Sequence, residues 1–246
     1  MELPAAFCRR MERLLGADYK RFFESYEKPL RRGVRVNLLK TDKERFLSLF
    51  PLPLVPSPFA ADGFYLDAPL KAGGDPLFHA GAYYMQEPSA SAAVTVLSPQ
   101  AGERILDLCA APGGKSLTLA EAMQDKGQLV SGEFVPARVP LLQQAFDRCG
   151  ITCAVAVEND ATQHNSDWPT FDRVLCDVPC SGLGVIAKKP DIRYKDLDGI
   201  ENLLDTQQKI LQNGADFLAE NGRLVYSTCT VNVQENQNQV EKFLSA

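Results

Sequence analysis

Five short apolar segments alternate with helical segments from Arg104 to Thr228, and this alternation constrains the fold more than any other feature. The segments are ERILDL, GQLVSGE, TCAVAVE, FDRVLCD and GRLVYST. Their apolar content is typical of strands that helices cover on both faces. Because a helix between two strands returns the chain to the starting edge, such strands form parallel sheets. We therefore predict a doubly wound, mostly parallel, Rossmann-like α/β sheet.

The first 80 residues follow a different pattern. Apolar residues at helical spacing predict helices over residues 7–15 and 19–26. Val34, Val36 and Leu38 alternate with polar residues, which predicts a strand. Thr41 and Glu44 predict a capping box for a helix in DKERFLSLF, and GFYLD predicts another strand. We predict a small N-terminal α/β module over residues 1–80 and the parallel sheet over residues 81–246.

The net charge of −5 does not favour nucleic-acid binding by itself, but the charge is unevenly distributed. Basic residues outnumber acidic ones in the first 45 positions. Two interpretations stay open: a basic module that holds a polyanion, or solvated helix faces. The basic residues of this segment are Arg9, Arg10, Arg13, Lys20, Arg21, Lys28, Arg31, Arg32, Arg35, Lys40, Lys43 and Arg45.

Seven cysteines without a C-x-x-C pair predict reduced thiols in a reducing compartment. The C-x-x-x-C pairs Cys149/Cys153 and Cys176/Cys180 do not fit zinc-ligand spacing, so we predict no metal site. No apolar run is as long as a membrane span, and the N-terminus lacks a secretory apolar region. We expect a cytoplasmic monomer that does not bind membranes.

Chemically distinctive residues stand where each predicted strand ends. The carboxyl ends of parallel strands share one edge of the sheet, and ligands bind outside that edge. We therefore expect these side chains to lie near one another. In chain order they are the loop from Cys109 to Lys115, then Glu133, Asp160, Asp177, Cys180 and Cys229.

The first of these loops, DLCAAPGGKS, ends like a nucleotide-phosphate loop but does not match one. Cys109 stands where that pattern requires glycine, and Pro112 has no N–H to donate to a phosphate. A carboxylate at Glu133 suits two ribose hydroxyls, and Asp160 suits the amine of adenine. No G-x-G-x-x-G is present for a pyrophosphate. S-adenosylmethionine therefore fits better than NAD.

Two cysteines beside such a cofactor indicate cytosine methylation. A thiolate that adds to carbon 6 makes carbon 5 able to accept a methyl group. The ring nitrogen then needs a proton or a hydrogen bond from an acid, and a base must remove the carbon-5 proton. The strand ends offer Cys229, Asp177 and Cys180 for these three tasks.

The motifs DLCAAPGGKS, DVPCSG and YSTCT together resemble the RNA 5-methylcytosine methyltransferase family of the RsmB, RsmF, Nop and Sun type. LPAAFCRRMERLLG, GVRVNLLK and YYMQEPSA are most similar to the bacterial RsmF branch. The resemblance implies a class I methyltransferase sheet, with Cys229 as nucleophile and Cys180 assisting release. It also implies a set of S-adenosylmethionine-binding positions, namely Cys109, Ala110, Ala111, Pro112, Gly113, Gly114, Lys115, Glu133, Arg138, Asp160 and Asp177.

The expected function is methyl transfer to carbon 5 of a cytosine in RNA, with small-subunit ribosomal RNA or the small subunit as partner. The alternative is an RNA-binding ribosome-assembly factor with an inactive or truncated methyltransferase core. A nucleotide-dependent oxidoreductase or NTPase is disfavoured by the failed loop patterns. Because the family core usually adds two strands, we expect this chain to be truncated after the fifth.

Overall fold

The computed structural model describes residues 3–26, 28, 31–195 and 199–245. The predicted outer limits at residues 1 and 246 lie outside the described residues. Within these ranges the chain forms two separate sheets, one of four strands and one of five. No helix in the same ranges is long and apolar enough to span a bilayer.

The N-terminal sheet is antiparallel and has the strand order β2-β3-β1-β4. Its apolar residues pack against α3, the helix that follows β1. The element bounds are α1 Ala5–Leu15, α2 Tyr19–Ser25, β1 Arg32–Val36, α3 Lys43–Leu49, β2 Val55–Pro56, β3 Gly63–Leu66, α4 Pro76–His79 and β4 Tyr83–Met85.

Three local details differ from the sequence prediction. The N-cap of α3 is Asp42, whose Oδ1 accepts from the Arg45 N–H at 2.7 Å, so the predicted Thr41 capping box is wrong. β1 ends at Val36, and Leu38 is 53% exposed beyond it. The sheet also extends past residue 80, because β4 pairs with β1.

The C-terminal sheet has the order β7-β6-β5-β8-β9, and each neighbouring pair is parallel. This confirms the predicted doubly wound sheet. Apolar spacing over residues 199–220 predicts one continuous helix, but the helix ends at Asp216 and a strand begins at Leu218. The bounds are α5 Ala92–Leu97, β5 Arg104–Asp107, α6 Gly114–Ala122, β6 Gln128–Glu133, α7 Val139–Cys149, β7 Ala154–Glu158, β8 Phe171–Asp177, α8 Glu201–Asp216, β9 Leu218–Ser227 and α9 Gln237–Leu244.

Helices cover both faces of the parallel sheet, since alternate side chains of a strand point to opposite sides. Ile105 of β5 packs with Phe146 of α7 in one core, whereas the next residue, Leu106, packs with Ile210 of α8 in the other. The strands are therefore fixed from both sides, which gives the loops at their carboxyl ends a rigid base.

A buried ion-pair cluster joins the N-terminal sheet to helix α6. Arg35 of β1 contacts Asp62 at 2.6 Å and Glu121 of α6 at 3.0 Å, and its side chain is only 10% exposed. It also donates to Ser91 at 3.2 Å. Arg35 belongs to the basic residues considered above for polyanion binding, but these contacts make it unavailable to an external ligand.

Helix α1 packs against the segment that follows Cys180. Phe7 and Met11 are buried with Leu183, Ile186 and Ile192, and we call this group the α1 core. Because these loop residues come directly after Cys180, the N-terminal helices support the loop on which that cysteine stands.

Candidate active site

Two cysteine side chains meet at the carboxyl edge of the parallel sheet. Cys180 follows β8, and Cys229 follows β9, its hydrogen-bonded parallel neighbour. Their Sγ atoms are 3.2 Å apart, and the Cys229 N–H donates to Cys180 Sγ at 3.3 Å. The structure therefore brings together the two cysteines that the sequence places at this edge.

The two thiols differ in acidity because they share a hydrogen bond. Donation from Cys180 lowers the pKa of Cys229 from 9.0 to about 7, and the nearby Lys115 also lowers it, against opposition from burial and Asp177. The same hydrogen bond raises the pKa of Cys180, although the N–H groups of Cys229 and Gly182 oppose the rise. Cys229 is also the more exposed thiol. It is therefore the one that forms a thiolate near neutral pH.

Asp177 ends β8 and lies between two donors. Lys115 Nζ donates to its Oδ2 at 2.8 Å, and Ser227 Oγ donates to its Oδ1 at 2.7 Å. Lys115 stands in the first turn of α6. The ion pair therefore connects the predicted cofactor loop to the strand ends that carry the cysteines.

The segment Cys109–Lys115 follows β5, as predicted, and its last two residues form the start of α6. Gly113 has φ +104°, and a Cβ there would lie 2.9 Å from Leu142 Cδ1, so the position requires glycine. Beneath the loop, Ser116 Oγ donates to the buried Asp107 carboxylate at 2.7 Å. Burial raises the pKa of Asp107 to about 6. The loop is thus held in place by its backbone conformation and by a buried polar contact.

The acid that ends β6 and the acid that follows β7 each keep one oxygen available. Glu133 is 5% exposed, and its Oε1 accepts from the Val135 N–H at 2.8 Å and from Arg138 at 3.4 Å. Asp160 Oδ1 accepts from the N–H and hydroxyl of Thr162 at 2.9 and 2.8 Å. Within the described ranges, the second oxygen of each carboxylate accepts no hydrogen bond. Both can therefore accept from a ligand.

Sequence reasoning missed Glu235, a carboxylate with 0% exposure in the turn after Cys229. It accepts from the Ser181 N–H at 2.8 Å, from Gln207 at 3.0 Å and from Asn232 at 3.1 Å. The available signal is an acid within the polar run TVNVQEN, close after the second cysteine. Glu235 therefore lies under both cysteine loops.

Gln86 is a second missed residue, and it follows β4 in the segment YYMQEPSA. Its Nε2 donates to the Gly114 carbonyl at 2.9 Å, and its Oε1 accepts from Ser91 Oγ at 3.1 Å. The N-terminal sheet thereby holds the start of α6 and the loop before it.

Cys109 does not join the cysteine pair. Burial raises its pKa well above the usual range, which keeps the thiol protonated and leaves a packing or backbone role. Among the described residues, no group of three or more His, Cys, Asp or Glu side chains is arranged to hold a metal ion.

A five-stranded parallel sheet with these polar loops at its carboxyl edge defines a Rossmann-like methyltransferase fold. The family model for 16S rRNA methyltransferase RsmB/F matches residues 94–246, and the model for the N-terminal domain of 16S rRNA methyltransferase RsmF matches residues 3–88. The chain belongs to the 16S rRNA methyltransferase RsmB/F family. This confirms the resemblance read from its motifs.

A curated relative agrees with this assignment, and two solved structures share the fold. The ribosomal RNA small subunit methyltransferase F of Serratia proteamaculans is 35% identical over 99% of this chain and 53% of its own length. This chain thus spans about half the length of the curated relatives it matches. The match to the crystal structure of PH0851 covers 99% of this chain and 56% of the PH0851 chain, with 30% identity and a TM-score of 0.93. A second match is the crystal structure of NSun6 from Pyrococcus horikoshii, which contains SFG, an S-adenosylmethionine analogue. This match covers 98% of this chain and 87% of the NSun6 chain, with 21% identity and a TM-score of 0.86.

Proposed function

We propose that this chain carries the catalytic residues of an enzyme that methylates carbon 5 of a cytosine in RNA, with small-subunit ribosomal RNA as substrate. One observation carries the proposal: the sulfurs of Cys180 and Cys229 lie 3.2 Å apart. The contact gives one thiol that ionises readily and one that stays protonated beside it. Methylation through a covalent adduct needs both, because attack and release are separate steps.

The residues at the sheet edge fit S-adenosylmethionine, which when bound supplies an electrophilic methyl group on a sulfonium. The free oxygen of Glu133 matches the ribose hydroxyls, and Arg138 holds that carboxylate from its other side. The free oxygen of Asp160 matches the adenine amine. The Asn159 side-chain N–H is buried without an acceptor among the described residues, so it suits a ring nitrogen. The open backbone of Cys109–Lys115 completes the set.

Attack begins at Cys229. Its thiolate forms a bond to carbon 6 of cytosine, and the electron pair of the 5,6 double bond moves toward carbon 5 and the ring. We assign Asp177 to the ring nitrogen, to which its carboxyl group passes a proton taken up from solvent, so that the ring stays neutral when the thiolate adds. Lys115 and Ser227 hold the Asp177 carboxylate in place for this task.

Release requires Cys180 to become a base. Once Cys229 is bonded to carbon 6 it carries no negative charge, so the main cause that raises the pKa of Cys180 disappears. Burial still raises that pKa, whereas the N–H groups of Cys229 and Gly182 lower it. Once carbon 5 carries its methyl group, Cys180 gives its own proton to solvent and, as a thiolate, removes the carbon-5 proton. The 5,6 double bond then re-forms, and the bond from carbon 6 to Cys229 breaks to leave the Cys229 thiolate. The attack thereby prepares the base that ends the cycle.

The basic surface around α1 is the part we assign to RNA. Arg9 and Arg13 are exposed on α1, and Lys189 is exposed on the segment that packs beneath it, next to Lys188, which pairs with Glu87. The α1 core packs the two elements that carry these residues against each other. Lysine and arginine contacts to phosphates would position the RNA beside the Cys180 loop without reading its sequence.

The test uses methyl-labelled S-adenosylmethionine with small-subunit ribosomal RNA, free and in assembled subunits. We expect label at carbon 5 of cytosine with the wild-type chain. Cys229→Ala should give neither methylation nor adduct. Cys180→Ala should give a protein–RNA species that survives denaturing electrophoresis and is lost in the double variant.

Two results would count against the proposal. RNA binding without methyl transfer would favour the assembly-factor alternative. An adduct in Cys229→Ala, with none in Cys180→Ala, would exchange the roles of the two cysteines.

A further inference from the structure

A buried carboxylate connects the loops that carry the two cysteines. We infer that Glu235 is a positioning residue that holds the Cys180 loop against the Cys229 loop and so sets the contact between their sulfurs. This inference rests on the proposed roles of the two cysteines. It adds a residue that touches neither sulfur and acts through the backbone on both sides.

On the Cys180 side, Glu235 fixes the residues before and after the cysteine. The N–H of Ser181 donates to Oε2 at 2.8 Å, and the Ser181 hydroxyl donates to Oε1 at 2.5 Å. Gln207 of α8 donates to Oε2 at 3.0 Å and also to the Pro179 carbonyl at 2.9 Å. Cys180 therefore stands between two residues that are tied to the same carboxylate.

On the Cys229 side, Glu235 lies in the turn that follows the cysteine and bonds back to the strand that precedes it. Asn232 donates to Oε1 at 3.1 Å, and the Tyr226 hydroxyl donates to the Glu235 carbonyl at 2.8 Å. The Ser181 hydroxyl also lies 2.8 Å from the Thr230 hydroxyl. A direct contact between the two loops therefore runs beside the carboxylate.

The chemistry of the site requires an acceptor with no hydrogen of its own. The donors come from Ser181, Gln207 and Asn232, and they approach both oxygens. A carboxylate accepts from all of them, whereas an amide in its place would set an N–H against a donor in either orientation. Because Glu235 is fully buried, a carboxylate is stable there only with such donors. The loops can separate only by breaking these hydrogen bonds.

The distance between the sulfurs can be probed without RNA or cofactor. Phenylarsine oxide forms two As–S bonds with a pair of close thiols and releases water, so its affinity reports how well the pair is held. Cys180→Ala and Cys229→Ala identify the signal from this pair. We expect Glu235→Gln to weaken the bridging about tenfold or more, because a buried donor loses its partner. Glu241→Gln, an exposed glutamate of α9, is the matched control and should bind like wild type.

A second readout separates positioning from general loss of structure. In Glu235→Gln the alkylation midpoint of Cys229 should rise by about one pH unit, because the Cys180 hydrogen bond that lowers its pKa is weakened. The other charged groups that act on Cys229, Lys115 and Asp177, are unchanged in this variant. Circular dichroism and S-adenosylmethionine binding should both report a folded sheet.

The inference is overturned if Glu235→Gln folds, binds phenylarsine oxide as tightly as the wild type does, and keeps the wild-type pH midpoint for Cys229 alkylation. If that variant does not fold, Ser181→Ala and Thr230→Val take its place, and Ser181→Ala should weaken bridging more. Wild-type bridging in both would overturn it equally. A wild-type chain that transfers no methyl group would count against the proposed function, while the bridging result would still decide the role of Glu235.

Discussion

Replacement of Cys180 should change the acidity of Cys229 before it changes any later step. Donation from Cys180 is the largest cause that lowers the Cys229 pKa from 9.0 to about 7. Cys180→Ala removes that donor, and the pKa of Cys229 should return to its ordinary range. At about pH 7 the thiolate fraction would fall from about one half to about one hundredth, a loss of roughly fiftyfold.

Alkylation by iodoacetamide measures this fraction directly, since only the thiolate reacts. The rate at Cys229, followed by peptide mass spectrometry, should rise with pH through a midpoint near 7 in the wild type. In Cys180→Ala the midpoint should lie near 9, and the two rates should agree within about twofold above that value. The Cys180→Ser variant is the matched control, because its hydroxyl can still donate, and its midpoint should lie between the two.

The reasoning fails if Cys180→Ala keeps the midpoint of about 7. A failure of this kind would mean that Lys115 alone, or the exposure of Cys229, sets its acidity. The prediction also affects the adduct experiment. Since attack itself slows in Cys180→Ala at neutral pH, the trapped RNA species should accumulate faster in mildly alkaline buffer.

Three further predictions concern Glu133, Arg35 and the removal of residues 1–75. Glu133→Ala should weaken S-adenosylmethionine binding by about 1.5–3 kcal/mol in calorimetry, because charge-assisted hydrogen bonds are lost; Glu158→Ala, on an exposed neighbour, should not. Arg35→Met should lower the free energy of unfolding in urea by about 3–5 kcal/mol, because two buried carboxylates lose their partner. The same change at the exposed Arg32 should lower it by less than about 0.5 kcal/mol. Removal of residues 1–75 should abolish cooperative unfolding, because β4 loses its partner strand β1 and the segment after Cys180 loses α1. A truncated chain that still folds and binds the cofactor would contradict this.

The parallel sheet could be predicted from the sequence because its strands are buried on both faces and are therefore strongly apolar. Errors lie at the ends of elements, where the local signal is ambiguous. Leu218 continues the apolar spacing of α8, yet the chain turns at Phe217, and Leu218 of β9 pairs with Phe171 of β8. Thr41 and Asp42 are both good N-cap residues, and only the backbone conformation selects Asp42.

The candidate site could be predicted only as far as strand ends determine it. The sequence places Cys180 and Cys229 at one edge, but the distance between their sulfurs depends on the register of β8 and β9. Glu235 was not predicted, because an acid in a polar run resembles a solvated surface residue. Its donors Ser181 and Gln207 are 54 and 28 positions away, and no local sequence pattern predicts contacts at that separation.

The α1 core has a consequence for synthesis of the chain. Arg10 of α1 donates to the Lys195 carbonyl, a partner 185 positions later. The ribosome therefore synthesises Phe7 and Met11 long before Leu183, the residue that packs against them in the folded protein. At about 5–20 residues per second, this interval lasts roughly ten to forty seconds. During that time an amphipathic helix exposes its apolar face, so the contact that supports the cysteine loop in the folded protein makes the nascent chain a substrate for chaperones.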